Sequence, residues 1–189
     1  MKSICFLAQF PPPMHGLSKA VETLYNSCLN GKYKLSKIDI TDNKRILRSL
    51  AALMRCQSDV VYFTPSQTRG GNLRDLVFLK LIQWQGKKCI VHIHGGYYRH
   101  LVDNDLPGWQ RRMNYRAIGR LAGGIVLGQS LKSIFEGMLP DNRIFVCPNC
   151  VDDAYIASSI DEKMEGLKRN GVLHVLYLSN FIASKGYRE

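Results

Sequence analysis

The residue best suited to chemistry in this sequence is His94, which ends an apolar run and is followed by Gly95 and Gly96. An imidazole can donate or accept a hydrogen bond near neutral pH, and two glycines leave room for a ligand beside it. His92 lies on the same face of the predicted strand but deeper, and a histidine inside a strand is more often a core residue. We therefore predict a functional role for His94 and structural roles for His92 and His174.

The turn Pro11-Pro12-Pro13-Met14-His15-Gly16 is the second candidate, since it joins an apolar run to a helical pattern. The first backbone N–H groups of a helix lack partners within it, so such a turn can bind an anion, a phosphate in particular. Gly16 has no Cβ to keep a ligand away, and Gly16 or Ser18 is expected to be the N-cap of the helix. An ordinary strand-to-helix turn explains the same residues, and the motif alone leaves both interpretations open.

The sequence Cys147-Pro148-Asn149-Cys150 has the spacing of a redox pair or of half a zinc site. A zinc site needs two further ligands, and the only closely spaced histidines are His92 and His94. An incidental pair after a strand is therefore the favoured interpretation, and we predict no metal site. The sequence also lacks Walker A, G-x-S-x-G and complete G-x-G-x-x-G motifs, which disfavours an NTPase, a hydrolase and an ordinary NAD enzyme.

The composition is that of a globular protein with a basic surplus. Hydrophobic residues make up 46% of the 189 residues and charged residues 22%, with a net charge of +11. This surplus indicates an anionic partner, which can be nucleic acid, nucleotide phosphates or an acidic membrane face. Most of the six cysteines lie in apolar runs, as is typical of free thiols in the cytosol. No apolar run reaches the roughly 18 residues of a membrane span and residues 1–10 form no secretory signal, so we predict a cytoplasmic protein.

Strand patterns alternate with helical patterns along the chain. Strands are predicted at residues 3–9, 34–40, 59–63, 88–94, 124–127 and 144–147. Helices are predicted at residues 17–30 and 43–56, in a segment that ends near Gln85, and at residues 109–121 and 130–138. Tight hairpin signals are missing, so the connections should be right-handed crossovers in an α/β fold with a doubly wound, Rossmann-like parallel sheet. Ligands bind such a sheet outside the carboxyl ends of its strands.

A change in composition after residue 152 predicts a domain boundary. Residues 1–152 form the first domain of this prediction, and the polar stretch at 153–171 is a linker or solvated helix. A new strand pattern then begins at Val172, and residues 172–189 look like the first strand and loop of a second domain. Because 18 residues cannot complete a domain, we expect the chain to be truncated.

Four motifs in the order of two successive domains carry a family resemblance. They are Pro11-Pro12-Pro13-Met14-His15-Gly16, Val91-His92-Ile93-His94-Gly95, Val146-Cys147-Pro148-Asn149-Cys150-Val151-Asp152, and Leu176-Tyr177-Leu178-Ser179-Asn180 to Lys185-Gly186. Through them the chain resembles the retaining, nucleotide-sugar-dependent glycosyltransferases of family 4. The resemblance covers the whole chain and implies the GT-B fold, with residues 1–152 as its N-terminal, acceptor-side half and the donor-binding domain after it.

The resemblance assigns roles to individual residues. It places Gly16 next to the donor diphosphate, His94 close to the transferred sugar as the catalytic residue, and Lys185 on the diphosphate. The substrate-binding residues that it implies are His15, Gly16, Gly95, Asn149, Asn180 and Lys185. The chain departs from the family at Asn180, where an arginine is usual, and at Cys150, where a glycine is usual. The paired glutamates of the family's second domain would lie beyond Glu189.

The implied activity is transfer of a sugar from a nucleotide diphosphate-sugar to a glycan or lipid-linked acceptor in cell-surface polysaccharide biosynthesis. This chemistry needs stabilisation of negative charge on the leaving diphosphate, and the resemblance implies no metal and no cofactor besides the donor substrate. As a truncated chain, the protein is expected to be inactive alone. A basic α/β module that binds nucleic acid or nucleotides without catalysis is the alternative, although the sequence has neither a recognition-helix signature nor a stacking strand, so nucleic acid is not among the expected partners.

Two basic segments predict an anionic membrane surface as a further partner. The first carries Lys44, Arg45, Arg48 and Arg55, and the second carries Arg99, Arg111, Arg112, Arg116 and Arg120 beside Trp109. Docking of both segments on anionic lipid would place the protein at the inner face of the cell membrane as a peripheral protein. Two solvated helix faces explain the same residues equally well.

Overall fold

A computed structural model describes residues 1–150 and the helix at 160–169. The chain divides into two compact units, Met1–Asn149 and Cys150–Glu189. The strand expected at residues 172–178, together with His174, Asn180 and Lys185, lies outside the described residues. The division into residues 1–152, 153–171 and 172–189 therefore stays a prediction.

Six parallel strands form one sheet in the first unit. They are β1 Ser3–Ala8, β2 Lys34–Asp39, β3 Val60–Phe63, β4 Lys88–Ile93, β5 Gly123–Val126 and β6 Ile144–Val146. The strand order is β2-β1-β3-β4-β5-β6, so the polar second strand lies at an edge as its sequence predicts. The predicted α/β fold with a doubly wound, Rossmann-like parallel sheet is confirmed.

Helices cover both faces of this sheet. They are α1 Gly16–Tyr25, α2 Leu29–Lys32, α3 Ile46–Arg55, α4 Arg69–Trp84, α5 Tyr97–His100 and α6 Gly108–Ile118, while α7 Ile160–Arg169 belongs to the second unit. Short 3₁₀ segments occupy Asn43–Arg45, Gln129–Phe135 and Asp141–Arg143, and a π-helical turn follows α5 at Leu101–Asp105. Within the part of the chain that the structure describes, no helix has the length and hydropathy of a bilayer-spanning segment.

The direction of each crossover decides which face a helix covers. With right-handed connections, a helix lies on one face of the sheet when the next strand is placed toward one edge, and on the opposite face when the next strand is placed toward the other edge. Only the step from β1 to β2 moves toward the β2 edge, and the Val21 side chain of α1 packs with Phe6 and Tyr62 on that face. Leu53 of α3 and Leu79 of α4 lie in the larger core on the other face, as does Ile118 of α6.

A buried amide cluster joins α4 to the elements after β4. The Asn72 side chain donates to Asn114 Oδ1 at 2.9 Å and accepts from Gln110 Nε2 and Asn114 Nδ2 at the same distance. Tyr98 of α5 donates its hydroxyl to Asn114 Oδ1 at 3.1 Å. All four residues are at most 5% exposed, so each polar group replaces water with a protein partner.

Several helix boundaries differ from the sequence-based expectation. The first helix ends at Tyr25 rather than near residue 30, where Ser27 Oγ donates to the Leu24 carbonyl at 2.7 Å and competes with the helical pattern. The segment after Gly96, where the sequence predicts no helix, is helical at residues 97–105, and the helix predicted at 130–138 is a 3₁₀ segment.

The orientation of α3 also differs from its apolar pattern. The sequence places Leu47 and Met54 with the core-facing residues of this helix, yet they are 78% and 56% exposed. Ser49 faces the sheet instead, is 6% exposed and donates its hydroxyl to the Asp39 carbonyl at 3.3 Å. Because Ser49 and Leu53 are the residues that meet the sheet, part of the apolar stripe of α3 points to solvent.

Replacement of Gly124 by alanine is expected to destabilise the fold by about 1–3 kcal/mol, because it overpacks a buried contact. A Cβ at Gly124 would lie 2.5 Å from Cε2 of the fully buried Phe135 and 3.0 Å from Leu139 Cδ1. Gly128→Ala is the matched control, since nothing lies within 4 Å of that added carbon. Urea unfolding measures both variants, and equal midpoints would contradict this account of the core.

Candidate functional site

The reversal of crossover direction between β1 and β3 locates the candidate site. The loop after β1 leads to α1 on one face, whereas the loop after β3 leads to α4 on the other. In a doubly wound sheet, ligands bind outside the carboxyl ends of the strands at this switch point. The residues after β1, β3 and the adjacent β4 are therefore the ones to consider.

Two histidines and a tyrosine form a hydrogen-bonded group at the end of β3 and β4. Tyr62 Oη lies 2.7 Å from His92 Nδ1 and 3.3 Å from His94 Nε2. The rings of His92 and His94 are 3.9 Å apart between centroids. His92 is 3% exposed and Tyr62 6%, while His94 at the strand end is partly accessible. One phenol hydroxyl thus serves both imidazoles.

The surroundings keep all three groups uncharged at neutral pH. Burial, together with a smaller effect of the neighbouring His94, lowers the pKa of His92 to about 3. Burial lowers the pKa of His94 to about 4, although the Asn149 side chain acts in the opposite direction. Burial also raises the pKa of Tyr62 above its usual value, with a smaller effect from Cys147. His94 is therefore a neutral hydrogen-bonding group and not a cation.

The hydrogen bonds of Tyr62 determine which proton His94 offers to a ligand. Nδ1 of His94 is buried and makes no hydrogen bond of normal geometry with the residues that the structure describes, although the Asn149 side chain lies close to the imidazole. If Tyr62 donates its proton to His94 Nε2, Nδ1 of His94 carries a hydrogen and becomes a donor. If Tyr62 donates instead to His92 Nδ1, His94 Nε2 is protonated and Nδ1 becomes an acceptor. The group can thus present either a donor or an acceptor without acquiring charge.

In the first turn of α1, some backbone N–H groups have hydrogen-bond partners and others do not. His15, rather than Gly16 or Ser18, is the N-cap: its Nδ1 accepts from the Ser18 N–H at 3.2 Å. Ser18 Oγ accepts in return from the His15 N–H at 3.0 Å. The next backbone bond runs from Lys19 N to the His15 carbonyl, so within residues 1–150 the N–H groups of Gly16 and Leu17 have no partner. Correspondingly, an added Cβ at Gly16 would have nothing within 4 Å.

Gly95 has a packing role that the sequence does not reveal. A Cβ at this position would lie 2.6 Å from Gln67 Nε2, so the amide of Gln67 fills the space that the glycine leaves. Gln67 Oε1 in turn accepts from the Tyr97 N–H at 3.1 Å. The Gln67 side chain therefore connects the loop after β3 to the turn after β4 and lies where a ligand was expected to approach Gly95.

A buried ion pair on α4 fixes the loop after β3. Asp75 Oδ2 accepts from the Ser66 N–H at 2.5 Å, and Asp75 Oδ1 lies 2.8 Å from Arg74 Nη2. Burial raises the pKa of Asp75 to about 6, against the opposing effect of Arg74. Asp75 stands within an otherwise apolar helical pattern, and this is the signal that could have identified it in the sequence.

The structure brings together some of the predicted site residues. His94, Gly95 and Asn149 meet at the end of β4, since Asn149 is close enough to affect the His94 imidazole. His15 and Gly16 lie at the end of β1, with β3 between β1 and β4. Asn180 and Lys185 lie outside the described residues.

Tyr62 and Gln67 belong to the site but were not predicted from the sequence. A tyrosine in an apolar strand next to the strand with the histidines is a signal that could have identified Tyr62.

The structure describes both cysteines of the C-x-x-C sequence, for which a redox pair or half a zinc site was the alternative interpretation. No group of three or more His, Cys, Asp or Glu side chains among residues 1–150 and 160–169 could hold a metal ion. Cys147 and Cys150 are both exposed and carry free thiols. Their C-x-x-C spacing is therefore not accompanied by further ligands in the described region.

Comparison with known proteins provides no family. No family model matches the chain, and no curated protein matches it. Among solved structures, it is similar to the LacI family transcriptional regulator CCPA from Weissella paramesenteroides, a structure with bound glucose. The sequences are 11% identical and the TM-score is 0.35, over 85% of this chain and 64% of that chain. The chain thus spans less than two thirds of that regulator, and a likeness at this level carries no argument about function.

The two buried histidines are expected to make the protein less stable in acid. Unfolded, both imidazoles titrate near pH 6.5, whereas in the fold their pKa values are about 3 and about 4. Their stabilising contribution is therefore complete above pH 6.5 and is lost as the pH falls toward the folded pKa values, because the unfolded chain then binds more protons. The free energy of unfolding should change by up to about 1.4 kcal/mol per pH unit for each histidine.

Urea unfolding of the wild type and His94→Gln between pH 7 and about pH 4 measures this slope. The variant has one titrating imidazole fewer and should show the shallower dependence. Histidine NMR spectra recorded near pH 5 provide a direct check, since His92 and His94 should both remain neutral. Equal slopes, or a protonated His94 at that pH, would contradict the burial argument.

Proposed function

We propose that this chain carries part of a glycosyltransferase site that moves a sugar from a nucleotide diphosphate-sugar to a glycan or lipid-linked acceptor. The observation that carries the proposal is the unpartnered Nδ1 of a neutral His94 at the carboxyl end of β4, next to the switch point of the sheet. An unpaired buried polar atom is costly for a folded protein, so a ligand group is a reasonable partner for it. The motif resemblance described above supports the same activity.

In this proposal His94 contacts the transferred sugar. The bond between the anomeric carbon and the diphosphate oxygen breaks, the acceptor hydroxyl oxygen bonds to the same carbon, and the hydroxyl proton passes to the leaving diphosphate oxygen. A neutral imidazole can orient a sugar hydroxyl through Nδ1 as either donor or acceptor. Because its pKa is about 4, His94 is a poor source of a full proton at pH 7, so its contribution is positioning and hydrogen bonding.

The leaving diphosphate requires stabilisation of negative charge. The free N–H groups of Gly16 and Leu17 can donate to a phosphate oxygen, and the α1 dipole adds a partial positive charge there. No acidic side chain occupies the first turn of this helix. Lys185 is proposed as a further phosphate ligand from the motif resemblance. The cytoplasmic side of a membrane, where such donors and lipid-linked acceptors meet, is the proposed location.

A basic binding module without catalysis is the second candidate. The observation in its favour is that the free donors of α1 suit a phosphate whether or not a reaction follows. A net charge of +11 would add salt-dependent attraction for a polyanion. Retention of a nucleotide with no turnover across the panel of sugar donors described below would favour this candidate.

In a chain that includes the donor-binding domain expected from the motif resemblance, replacement of His94 by alanine should reduce sugar transfer by about 100-fold or more, if the hydrogen bond forms chiefly in the transition state. Transfer is assayed by mass spectrometry with uridine and guanosine diphosphate-sugars and polyprenyl-phosphate-linked acceptors. His100→Ala is the matched control, because His100 is exposed and lies 3.8 Å from Asp105 rather than in the hydrogen-bonded group of Tyr62, His92 and His94. Turnover of His94→Ala equal to that of the control would remove His94 from the mechanism.

Replacement of Gly16 by alanine should weaken binding of uridine or guanosine diphosphate by about tenfold, because the added methyl lies beside the free donors of α1. The fold should tolerate the change, since nothing of the protein lies within 4 Å of that carbon. Gly70→Ala, also in a first helical turn with open space around it, is the control. Isothermal titration compares them, and unchanged affinity of Gly16→Ala would exclude a phosphate at this turn.

A further inference from the structure

An apolar groove of about 480 Å³ lies on the outer surface of α3, α4 and α6. We call it the helix groove. It is lined by Met54 on α3, by Leu73, Val77, Lys80 and Trp84 on α4, and by Met113 on α6. The three helices cover the larger core with their inner faces, and the groove lies on their outer faces.

The apolar side chains of the helix groove are unusually accessible. Trp84 is 75% exposed and Met54 56%, and Leu73, Val77 and Met113 are each 46% exposed. Leu47 on α3 and Trp109 on α6, which flank the groove along the chain, are 78% and 48% exposed. Single exposed apolar residues are ordinary, but a contiguous set across three helices marks a surface that is covered in use.

The charges on these three helices have one sign. Their only acidic residue is Asp75, which is 1% exposed and paired with Arg74. Their exposed charged side chains are Arg48 and Arg55 on α3, Arg69 and Lys80 on α4, and Arg111, Arg112 and Arg116 on α6. In the described part of the chain, none of these seven forms an ion pair with a carboxylate. The apolar groove is therefore accompanied by unneutralised positive charge.

We propose that the helix groove docks on an anionic phospholipid bilayer. The apolar side chains enter the headgroup and acyl boundary, and Lys80 of the groove and the exposed arginines of the same three helices contact lipid phosphates. Tryptophan suits this depth, because its ring is apolar and its indole N–H is polar. The complementarity of charge, between the exposed basic residues of these three helices and an acidic surface, identifies the partner.

Other occupants account for this surface less well. A symmetric dimer through this surface would bring two sets of exposed arginines together with no exposed carboxylate on the three helices to pair with them. An acidic amphipathic helix of another protein would satisfy charges beside the groove, but not those of Arg111, Arg112 and Arg116, which line a separate cavity on α6. Both occupants are outcomes that the test below can detect.

The structure changes the sequence-based expectation of lipid binding. Of the basic residues expected to contact lipid, Arg45 pairs with Asp42 at 3.4 Å and Arg99 pairs with Asp103, so both are already occupied. The apolar component, chiefly Trp84, was not part of that expectation. Lipid docking does not rest on the proposed sugar transfer, and the experiment requires no turnover.

Vesicle sedimentation tests the proposal with the full chain. The wild type should bind vesicles with about one third phosphatidylglycerol at least tenfold more tightly than pure phosphatidylcholine, and about 500 mM salt should weaken this binding. Trp84→Gln and the pair Arg112→Glu/Arg116→Glu should each reduce binding about tenfold. Equal binding to both vesicle types, or no binding, would overturn the proposal.

Matched controls separate the helix groove from overall charge and from apolar content. Lys2→Glu/Lys34→Glu makes the same change in net charge at exposed positions outside the three helices. Met14→Gln removes an exposed apolar side chain elsewhere, at a residue that is 65% exposed. Both controls should bind like the wild type, and a loss equal to that of the groove variants would show unspecific attraction. Circular dichroism melts confirm that each variant is folded.

Tryptophan fluorescence gives a second measurement that does not depend on disruptive variants. The chain has two tryptophans, so Trp109→Phe leaves Trp84 as the only one. Its emission should shift to the blue on addition of phosphatidylglycerol vesicles, and brominated lipids should quench it. Unchanged emission with bound vesicles would place the contact elsewhere and overturn the proposal. Emission that shifts with protein concentration alone would overturn the proposal in favour of a dimer. Emission that shifts with an acidic amphipathic peptide but not with vesicles would overturn it in favour of a protein partner.

Discussion

The handedness of the crossovers is the constraint on which the rest of this structure depends. Because the chain first steps toward one edge and then returns across β1, α1 is placed on one face while α3, α4 and α6 share the other. The loops that follow β1 and β3 must then diverge. The candidate site on the carboxyl edge and the helix groove on the outer layer are both products of this single change of direction.

The Tyr62, His92 and His94 group shows how polar residues are accommodated inside this sheet. Charged imidazoles would be costly at that depth, and burial instead favours the neutral forms. A neutral imidazole still needs hydrogen-bond partners, and the shared hydroxyl of Tyr62 supplies one for each ring. One nitrogen of each histidine is left without a partner in the described region, and of the two residues His94 is the one at the accessible end of the strand.

The fold could be predicted from the sequence because its strands are short, apolar and separated by helical patterns. Strand existence depends on local pattern, and even the edge position of β2 follows from its polar residues. Helix ends were less predictable, since a side-chain hydrogen bond such as that of Ser27 decides them. The outward position of Leu47 was not predictable at all, because it depends on how α3 packs against the sheet and α4.

The candidate site was predictable only in part. His94 can be identified from the local sequence alone, because it stands at the end of an apolar strand pattern. The partner of that histidine is 32 residues away in the sequence, at Tyr62, and strand order is needed to connect them. The role of Gly95 likewise depends on Gln67, a residue of another loop. Contacts between loops at one sheet edge are long-range, and periodicity contains no information about them.

The Arg74 and Asp75 pair connects α4, whose outer face lines the helix groove, to two loops at the carboxyl edge of the sheet. Asp75 holds Ser66 in the loop after β3, and Arg74 donates to the Ile40 carbonyl at 3.1 Å and to Asn43 Oδ1 at 2.7 Å after β2. The opposite side of the same helix bears Trp84 and the other exposed apolar residues. The two neighbouring charges of this pair therefore join α4 to two loops at the carboxyl edge of the sheet, so the outer face of the helix and these loops belong to one hydrogen-bonded unit.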